Sequence, residues 1–153
     1  MKTEALRFTT DIIKPWEKLN KELGKPYCMN SDISDFTSQA NSLAVSLKHI
    51  LESCQGVEPK ILSNESHAYK IISDLADSYK HGKLKKANRE CKLDIASMYE
   101  RRSDAKVRFL RNKITIHHNT RGKMDFMEYS KECAIFLSKK LEIDWSPVVF
   151  NNS

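Results

Sequence analysis

The sequence predicts a mainly α-helical single domain, a helical bundle of about four helices with a small basic β-hairpin or meander inserted before the last helix. Four segments repeat apolar residues every three or four positions, which is the period of an amphipathic helix. Between the third and fourth segments, over about residues 92–118, the period falls to two, which is typical of strands. The 153 residues include only 4 Gly and 4 Pro, so a loop-rich protein is disfavoured, and the length suits one domain over residues 1–153.

The first two predicted helices span about residues 3–23 and 32–53. Pro15 lies inside the first helix, where its missing N–H predicts a kink or a division. The second helix has the most regular pattern, because its apolar positions step alternately by three and four, as in helices that pack against another long helix. These positions are Ile33, Phe36, Ala40, Leu43, Leu47 and Ile50. Residues 57–63, which include Pro59, are predicted to be a linker.

The other two predicted helices span about residues 65–81 and 125–141. Gly82 should end the third helix in a left-handed conformation, which glycine adopts without steric cost. Asp125, followed three residues later by a glutamate, forms the capping-box pattern that marks the start of the last helix. The apolar tail over residues 143–153 is then expected to pack on the body of the protein or on a second subunit.

The insert over about residues 92–118 alternates polar and apolar side chains and contains several β-branched residues. This pattern predicts a β-hairpin or a three-stranded meander. A helix through Val107, Leu110 and Ile114 is the competing interpretation. We favour strands.

Positive charge is concentrated in Lys80–Lys123, which carries 14 Lys or Arg and 4 Asp or Glu, a net charge of +10. The whole chain has a net charge of +6, so the remainder is mildly acidic. Such asymmetry indicates an anionic partner, either nucleic acid or an acidic protein surface. A solvated lysine-rich surface would give the same count.

The candidate nucleic-acid contacts fall into two groups of basic side chains. Phosphate contacts by such clusters give an affinity that falls steeply with salt. Tyr99 and Phe109 could stack on unpaired bases, although in a hairpin we expect them to form its buried face. The candidates are Lys83, Lys85, Lys86 and Arg89 in the first group, and Arg101, Arg102, Lys106, Arg108 and Lys113 in the second.

Several classes of protein are disfavoured by the same sequence. No apolar run is long enough to span a bilayer, and Met1–Asp11 has no apolar core of the signal-peptide kind, so we expect a cytoplasmic protein without membrane contact. The four cysteines are scattered without a Cys-x-x-Cys pair, and no Gly-rich phosphate loop is present. We therefore expect reduced thiols and no cofactor.

Two groups of residues contain candidate metal ligands. Asp74, Asp77 and His81 lie on one helical stripe, but the interpretation we favour is a helix-end His81 paired with Asp77. His117 and His118 are neighbours, and in a strand their rings would point to opposite faces, so they would not easily share one ion. No metal site is predicted.

Arg111 and Asn112, followed after four residues by His117, form the one pattern with catalytic chemistry. RNA cleavage through the 2′-hydroxyl needs a proton acceptor near neutral pH, which histidine supplies, and a fixed cation for the phosphate, which arginine supplies. The pattern resembles the Arg-Asn-x4-His motif of HEPN ribonucleases, small helical and often dimeric proteins that act without a metal. In that family the motif lies at helix ends that face the dimer axis. The resemblance implies that His117 is the general base or acid, Arg111 the phosphate clamp and Asn112 an orienting group.

Two functional hypotheses follow from these features. The first is a small nucleic-acid-associated bacterial or phage protein that binds RNA rather than DNA, in phage defence, toxin–antitoxin or counter-defence systems, with metal-independent HEPN-like endoribonuclease activity as its enzymatic form. The alternative is a non-enzymatic interaction, adaptor or inhibitor module that acts through a homodimer or an acidic protein partner. A homo-oligomer is expected under both.

Overall fold

A computed structural model describes residues 2–25, 33–100 and 109–147. Six α-helices and one three-stranded antiparallel sheet account for most of these residues, so the prediction of a mainly α fold with a small β-element is confirmed in outline. The predicted number of about four helices was wrong, because a π-helical turn divides the first predicted helix and a predicted linker is itself a short helix. The helices are α1 (Lys2–Phe8), α2 (Lys14–Leu23), α3 (Ile33–Gln55), α4 (Pro59–Glu65), α5 (His67–His81) and α6 (Phe126–Lys140).

The first predicted helix is divided by a π-helical turn at Thr9–Ile13. The N–H of Lys14 donates to the carbonyl of Thr9, five residues back. Pro15 follows at the start of α2 and has no N–H for an ordinary helical bond. The wider turn lets the chain continue in one direction across the proline, as π-bulges do inside longer helices.

The linker predicted over residues 57–63 is instead the short helix α4. Pro59 stands in the first turn of α4, where its missing N–H costs nothing because that N–H would have no helical partner. Ser66 then ends α4 and starts α5, and its hydroxyl accepts the N–H of Tyr69 at 3.1 Å. The proline therefore begins a helix here.

The insert forms a meander of β1 (Cys91–Glu100), β2 (Phe109–His118) and β3 (Gly122–Asp125), in the order β1-β2-β3. Ile95 lies opposite Ile114, and Ile116 lies opposite Met124. The strand interpretation is confirmed for Phe109–His118, and β3 extends the sheet beyond the predicted end of the insert. Asp125 caps α6 as predicted, since its Oδ2 accepts the N–H of Glu128 at 3.0 Å.

The core lies between the helices and the inner face of the sheet, which contributes the buried side chains of Ile114, Ile116 and Met124. From Phe36 to Ile50, the regular apolar stripe of α3 is buried in the same core. Trp145, in the tail after α6, packs edge-on against Phe8 and Trp16, with ring centroids 6.3 and 5.5 Å apart. The apolar stripe of α3 and the described part of the tail, two surfaces that a homodimer could have used, are thus packed within one chain.

Candidate anion-binding surface

Residues 82–90, called the basic loop here, connect α5 to β1 and carry three exposed lysines, Lys83, Lys85 and Lys86. Gly82 has φ of +72° and donates its N–H to the last turn of α5, as expected for a glycine helix terminator. The N–H of Leu84 donates to the Glu90 carboxylate at 2.8 Å. The turn between β2 and β3 forms two hydrogen bonds with the loop. The side-chain amide of Asn119 donates to the Ala87 carbonyl at 2.7 Å, and the hydroxyl of Thr120 donates to the Asn88 carbonyl at 3.0 Å. These contacts fix the direction in which the lysines project.

The outer face of the sheet continues the positive surface beyond the loop. Lys92, His117 and Lys123 lie side by side across the three strands, because Lys92 is opposite His117 and His117 is opposite Lys123. A depression of about 320 Å³ lies where the loop meets the strands, and its lining includes Gly82 and Glu90 of the loop and Lys92 and His117 of the sheet. We call the combined surface the basic face; its members are Lys83, Lys85, Lys86, Lys92, Lys113, His117, Arg121 and Lys123.

Arg89 does not belong to this surface in the way the sequence suggested. Its Nε donates to Asp74 Oδ1 at 2.9 Å and its Nη2 to Asp77 Oδ2 at 2.6 Å, while Lys48 Nζ donates to Asp77 Oδ1. Burial alone would raise the pKa of Asp77, but the hydrogen bonds and charges of Lys48 and Arg89 outweigh it and hold that pKa below its usual value. The charge of Arg89 is therefore compensated inside the protein.

His118 completes this group, called the ion network here and made of Lys48, Asp74, Asp77, Arg89 and His118. The Nε2 of His118 lies 2.9 Å from Asp74 Oδ2, with the two side chains only 2% and 3% exposed. The Nδ1 of His118 accepts the backbone N–H groups of Thr120 and Arg121, each at 3.2 Å. Since Nδ1 is an acceptor, Nε2 carries the proton and donates a hydrogen bond to Asp74. The network ties α3, α5, the basic loop and β2 together.

The expected Asp77–His81 pair was wrong, because both oxygens of Asp77 are occupied by Lys48 and Arg89. His81 lies exposed at the end of α5. Within residues 2–25, 33–100 and 109–147, no group of three or more His, Cys, Asp or Glu side chains could hold a metal ion. The acidic stripe seen in the sequence is thus explained by ion pairing.

The three residues of the HEPN-like pattern lie on β2 and are not brought together. Arg111 and Asn112 are only 5% and 1% exposed. His117 is six residues further along an extended strand. At roughly 3.3 Å per residue, its Cα lies about 20 Å from that of Arg111. Its Nε2 lies 3.5 Å from Asp94 Oδ2 on the outer face. Arg111 and His117 are therefore not adjacent on the strand.

The structure describes only some of the other residues that the sequence predicts to contact nucleic acid. Lys113 is half-buried on the outer face of the sheet, opposite Ala96. Arg101, Arg102, Lys106 and Arg108 lie outside the described residues, as do the side chains of Tyr99 and Phe109.

Sequence reasoning missed Lys92, Arg121 and Lys123 as members of the basic face. The alternation of polar and apolar residues in β1 and β2 puts Lys92 and His117 on outward-facing positions, and this is the signal that could have identified Lys92. Lys123 could not be placed, because β3 was not predicted and its register is needed to set it beside His117.

The described cysteines have the environment of structural thiols. Cys54, Cys91 and Cys133 are free, and burial raises the pKa of Cys91 to about 12. Burial also raises the pKa of Cys133. Thiols with raised pKa values carry little thiolate at neutral pH and are poor nucleophiles.

Comparison with known proteins adds no family to these observations. No protein-family model, no curated protein and no solved structure matches the chain significantly. Among the described residues, no helix combines the length and apolar character needed to cross a bilayer.

Proposed function

We propose that this protein binds RNA through the basic face, and that it acts by binding rather than by cleavage. The observation that carries the proposal is the row of Lys92, His117 and Lys123 across the three strands, together with three exposed lysines on the loop that leads into β1. Phosphate groups are the partners that such a surface suits, since each contact releases condensed counterions.

The preference for RNA over DNA follows from the shape of this surface. The exposed face of an antiparallel sheet is a platform on which RNA-binding modules hold single strands, and the outer face of β1–β3 has that form. The basic loop stands at the end of the sheet where β1 begins and β2 finishes, so its lysines could contact the backbone of an RNA strand that lies on the row.

Fluorescence anisotropy with a labelled single-stranded RNA over a salt series tests this proposal. The logarithm of the affinity should fall with the logarithm of salt concentration by about 0.7 for each phosphate contacted. The Lys85→Glu, Lys92→Glu, Lys123→Glu triple variant should bind about tenfold or more weakly and with a smaller salt slope. Single-stranded and duplex DNA of the same sequence measure the preference for RNA.

A matched control keeps the same charge change but places it elsewhere. Lys14, Lys18 and Lys21 are exposed on α2, and their reversal to glutamate should leave RNA binding within about twofold of wild type after allowance for net charge. Equal weakening by both triple variants would show that net charge alone attracts RNA, and the basic face would lose its assignment.

The ribonuclease hypothesis is tested on its own. Wild type and a His117→Ala variant are incubated with mixed RNA in a chelator, and the products are resolved on a gel. We expect no cleavage, because Arg111 is buried about 20 Å from His117 along β2. Cleavage by wild type that His117→Ala abolishes would establish the enzymatic form instead.

The alternative of an interaction module concerns the same surface with an acidic protein as partner. The stripe of α3 and the packed Trp145 leave less apolar surface for a homodimer than the sequence suggested. Light scattering would show a discrete oligomer if one forms. Absence of RNA binding at low salt would favour this alternative over the RNA proposal.

A further inference from the structure

A second concave region lies beside the basic loop. It is a cleft of about 410 Å³ lined by residues of α4, α5 and the loop, with Lys48 of α3 also in its lining. Five cations line it, one or two from each of these four elements: Lys48, Lys60, Lys70, Lys86 and Arg89. This volume is in the range of pockets that hold small molecules.

The carboxylates of the cleft are already neutralised from within the protein. Asp74 and Asp77 are its two acidic lining residues, and both accept hydrogen bonds from Arg89. Asp74 also pairs with His118, and Asp77 with Lys48. The lining as a whole has five cations against two carboxylates, a net charge of +3.

The excess positive charge belongs to Lys60, Lys70 and Lys86. In the part of the chain that the structure describes, no carboxylate pairs with any of these three ammonium groups. Lys60 is on α4, Lys70 on α5 and Lys86 on the basic loop, so their charges converge from three separately anchored elements. Three like charges around one concavity repel one another, and a multivalent anion between them would relieve that repulsion.

Neutral hydrogen-bonding groups stand beside the lysines in the same cleft. Ser63 and Asn64 follow Lys60 by three and four residues on α4, and Ser73 follows Lys70 by three on α5. Residues at these spacings share a helix face, so each lysine is accompanied by a hydroxyl or an amide. Hydroxyl and amide donors together with ammonium groups are the usual ligands of phosphate oxygens.

We propose that this cleft is a binding site for a phosphate monoester, the terminal phosphate of a nucleotide or of an RNA end. Such a group is close to a dianion at neutral pH and presents three acceptor oxygens, which matches three converging ammonium groups. An internal phosphodiester carries one charge and is flanked by two sugars, so it suits the open basic face better than the cleft. The site goes beyond the RNA-binding proposal, and of the cleft cations named here only Lys86 belongs to both surfaces.

Isothermal titration calorimetry with AMP, and with adenosine as the uncharged control, tests the site at constant ionic strength. AMP should bind and adenosine should not. Because each charge-assisted hydrogen bond contributes roughly a tenfold factor, the Lys60→Ala, Lys70→Ala variant should bind AMP about tenfold to a hundredfold more weakly. The Lys85→Ala, Lys92→Ala variant, which removes the same charge from the basic face, should bind AMP as wild type does.

RNA oligonucleotides with a 5′-phosphate or a 5′-hydroxyl separate the two sources of the group. If the cleft receives an RNA end, the phosphorylated RNA binds more tightly to wild type, and Lys60→Ala with Lys70→Ala removes that advantage without changing the affinity for the hydroxyl form. If both RNAs bind equally while AMP binds through Lys60 and Lys70, a free nucleotide is the source. Circular dichroism checks that the variants fold.

Failure of this proposal is distinct from failure of the RNA proposal. AMP binding no tighter than that of adenosine, or equal in wild type and the Lys60→Ala, Lys70→Ala variant, would overturn the phosphate site whatever RNA does. AMP binding with the expected variant pattern, in a protein that binds neither RNA, would support the cleft and remove the RNA assignment from the basic face.

Discussion

Two Asp–His pairs stand on opposite faces of β2, one residue apart in the sequence, and they differ in almost every physical respect. On the inner face His118 meets Asp74 at 2.9 Å, with both side chains at most 3% exposed. On the outer face His117 meets Asp94 at 3.5 Å, with side-chain exposures of 30% and 60%. Water screens the outer pair, whereas the surrounding protein must supply the hydrogen bonds of the inner pair.

The same division separates the cations of the basic loop. They look alike in the sequence, yet Arg89 neutralises Asp74 and Asp77 while Lys83, Lys85 and Lys86 are exposed on the same loop. A charge count over Lys80–Lys123 therefore overstates the charge offered to a partner, because part of it stabilises the fold.

Removing the inner carboxylate should have the largest effect on stability. Asp74→Ala leaves the Nε2–H of His118 without its acceptor and takes one of two carboxylates from Arg89. We expect a loss of about 3 kcal/mol in the free energy of unfolding, measured by urea denaturation. Asp94→Ala makes the same change in the outer pair and should cost less than about 0.5 kcal/mol. Similar losses from the two variants would mean that the faces of β2 do not differ as described.

The sequence carried most of the information for the helices and little for the ion network. The apolar period located α3, α5 and α6 because their stripes are long, and Gly82 and Asp125 marked helix ends through local chemistry alone. The helix α4 was missed because seven residues that begin with a proline hold too few turns for a period to appear. Local pattern is reliable where the determining contacts are local.

The candidate site was harder to predict because its contacts join distant residues. Asp74 meets Arg89 across 15 positions and His118 across 44. The row of Lys92, His117 and Lys123 depends on the register of three strands, and one of these was not predicted. The pattern of Arg111 and His117 suggested a shared site only through its resemblance to a motif of helical ribonucleases, whereas here the two residues are six positions apart along the strand β2.

Acid titration should sharpen the comparison at Asp77, the second carboxylate of the ion network. Its folded-state pKa lies below the usual value, so its ionised form stabilises the protein above the unfolded-state pKa, and this contribution is lost as the pH falls through the folded-state pKa. Asp77→Asn should therefore lower the free energy of unfolding by about 1–2 kcal/mol at pH 7. The difference in this free energy between wild type and variant, measured by urea denaturation, should shrink as the pH falls below about 4. A gap independent of pH would show that the charge of Asp77 contributes nothing.

Asp125, at the end of β3, should respond to pH in the opposite sense and with the smallest effect. Burial raises its pKa, although the N–H of Glu128 and the charge of Lys113 partly oppose this. Its Oδ1 is buried without a hydrogen-bond partner among the described residues, so ionisation is costly there. A raised folded-state pKa means that wild type gains stability as the pH falls from neutral through that pKa, until the unfolded chain is protonated too.

Asp125→Asn removes this titration and keeps a side chain that caps helices as well as aspartate does. At pH 7 we expect the free energy of unfolding to change by no more than about 0.5 kcal/mol, with the variant no less stable than wild type. As the pH falls, wild type should become more stable relative to the variant, which is the reverse of the trend at Asp77. Urea denaturation of wild type and variant at a series of pH values measures this difference. Asp125→Ala is the control, because it removes the titration and the cap together and should cost about 1 kcal/mol at every pH where the cap forms. If wild type instead lost stability relative to Asp125→Asn on acidification, the ionised form of Asp125 would be the favoured one, and burial at the end of β3 would not govern this carboxylate.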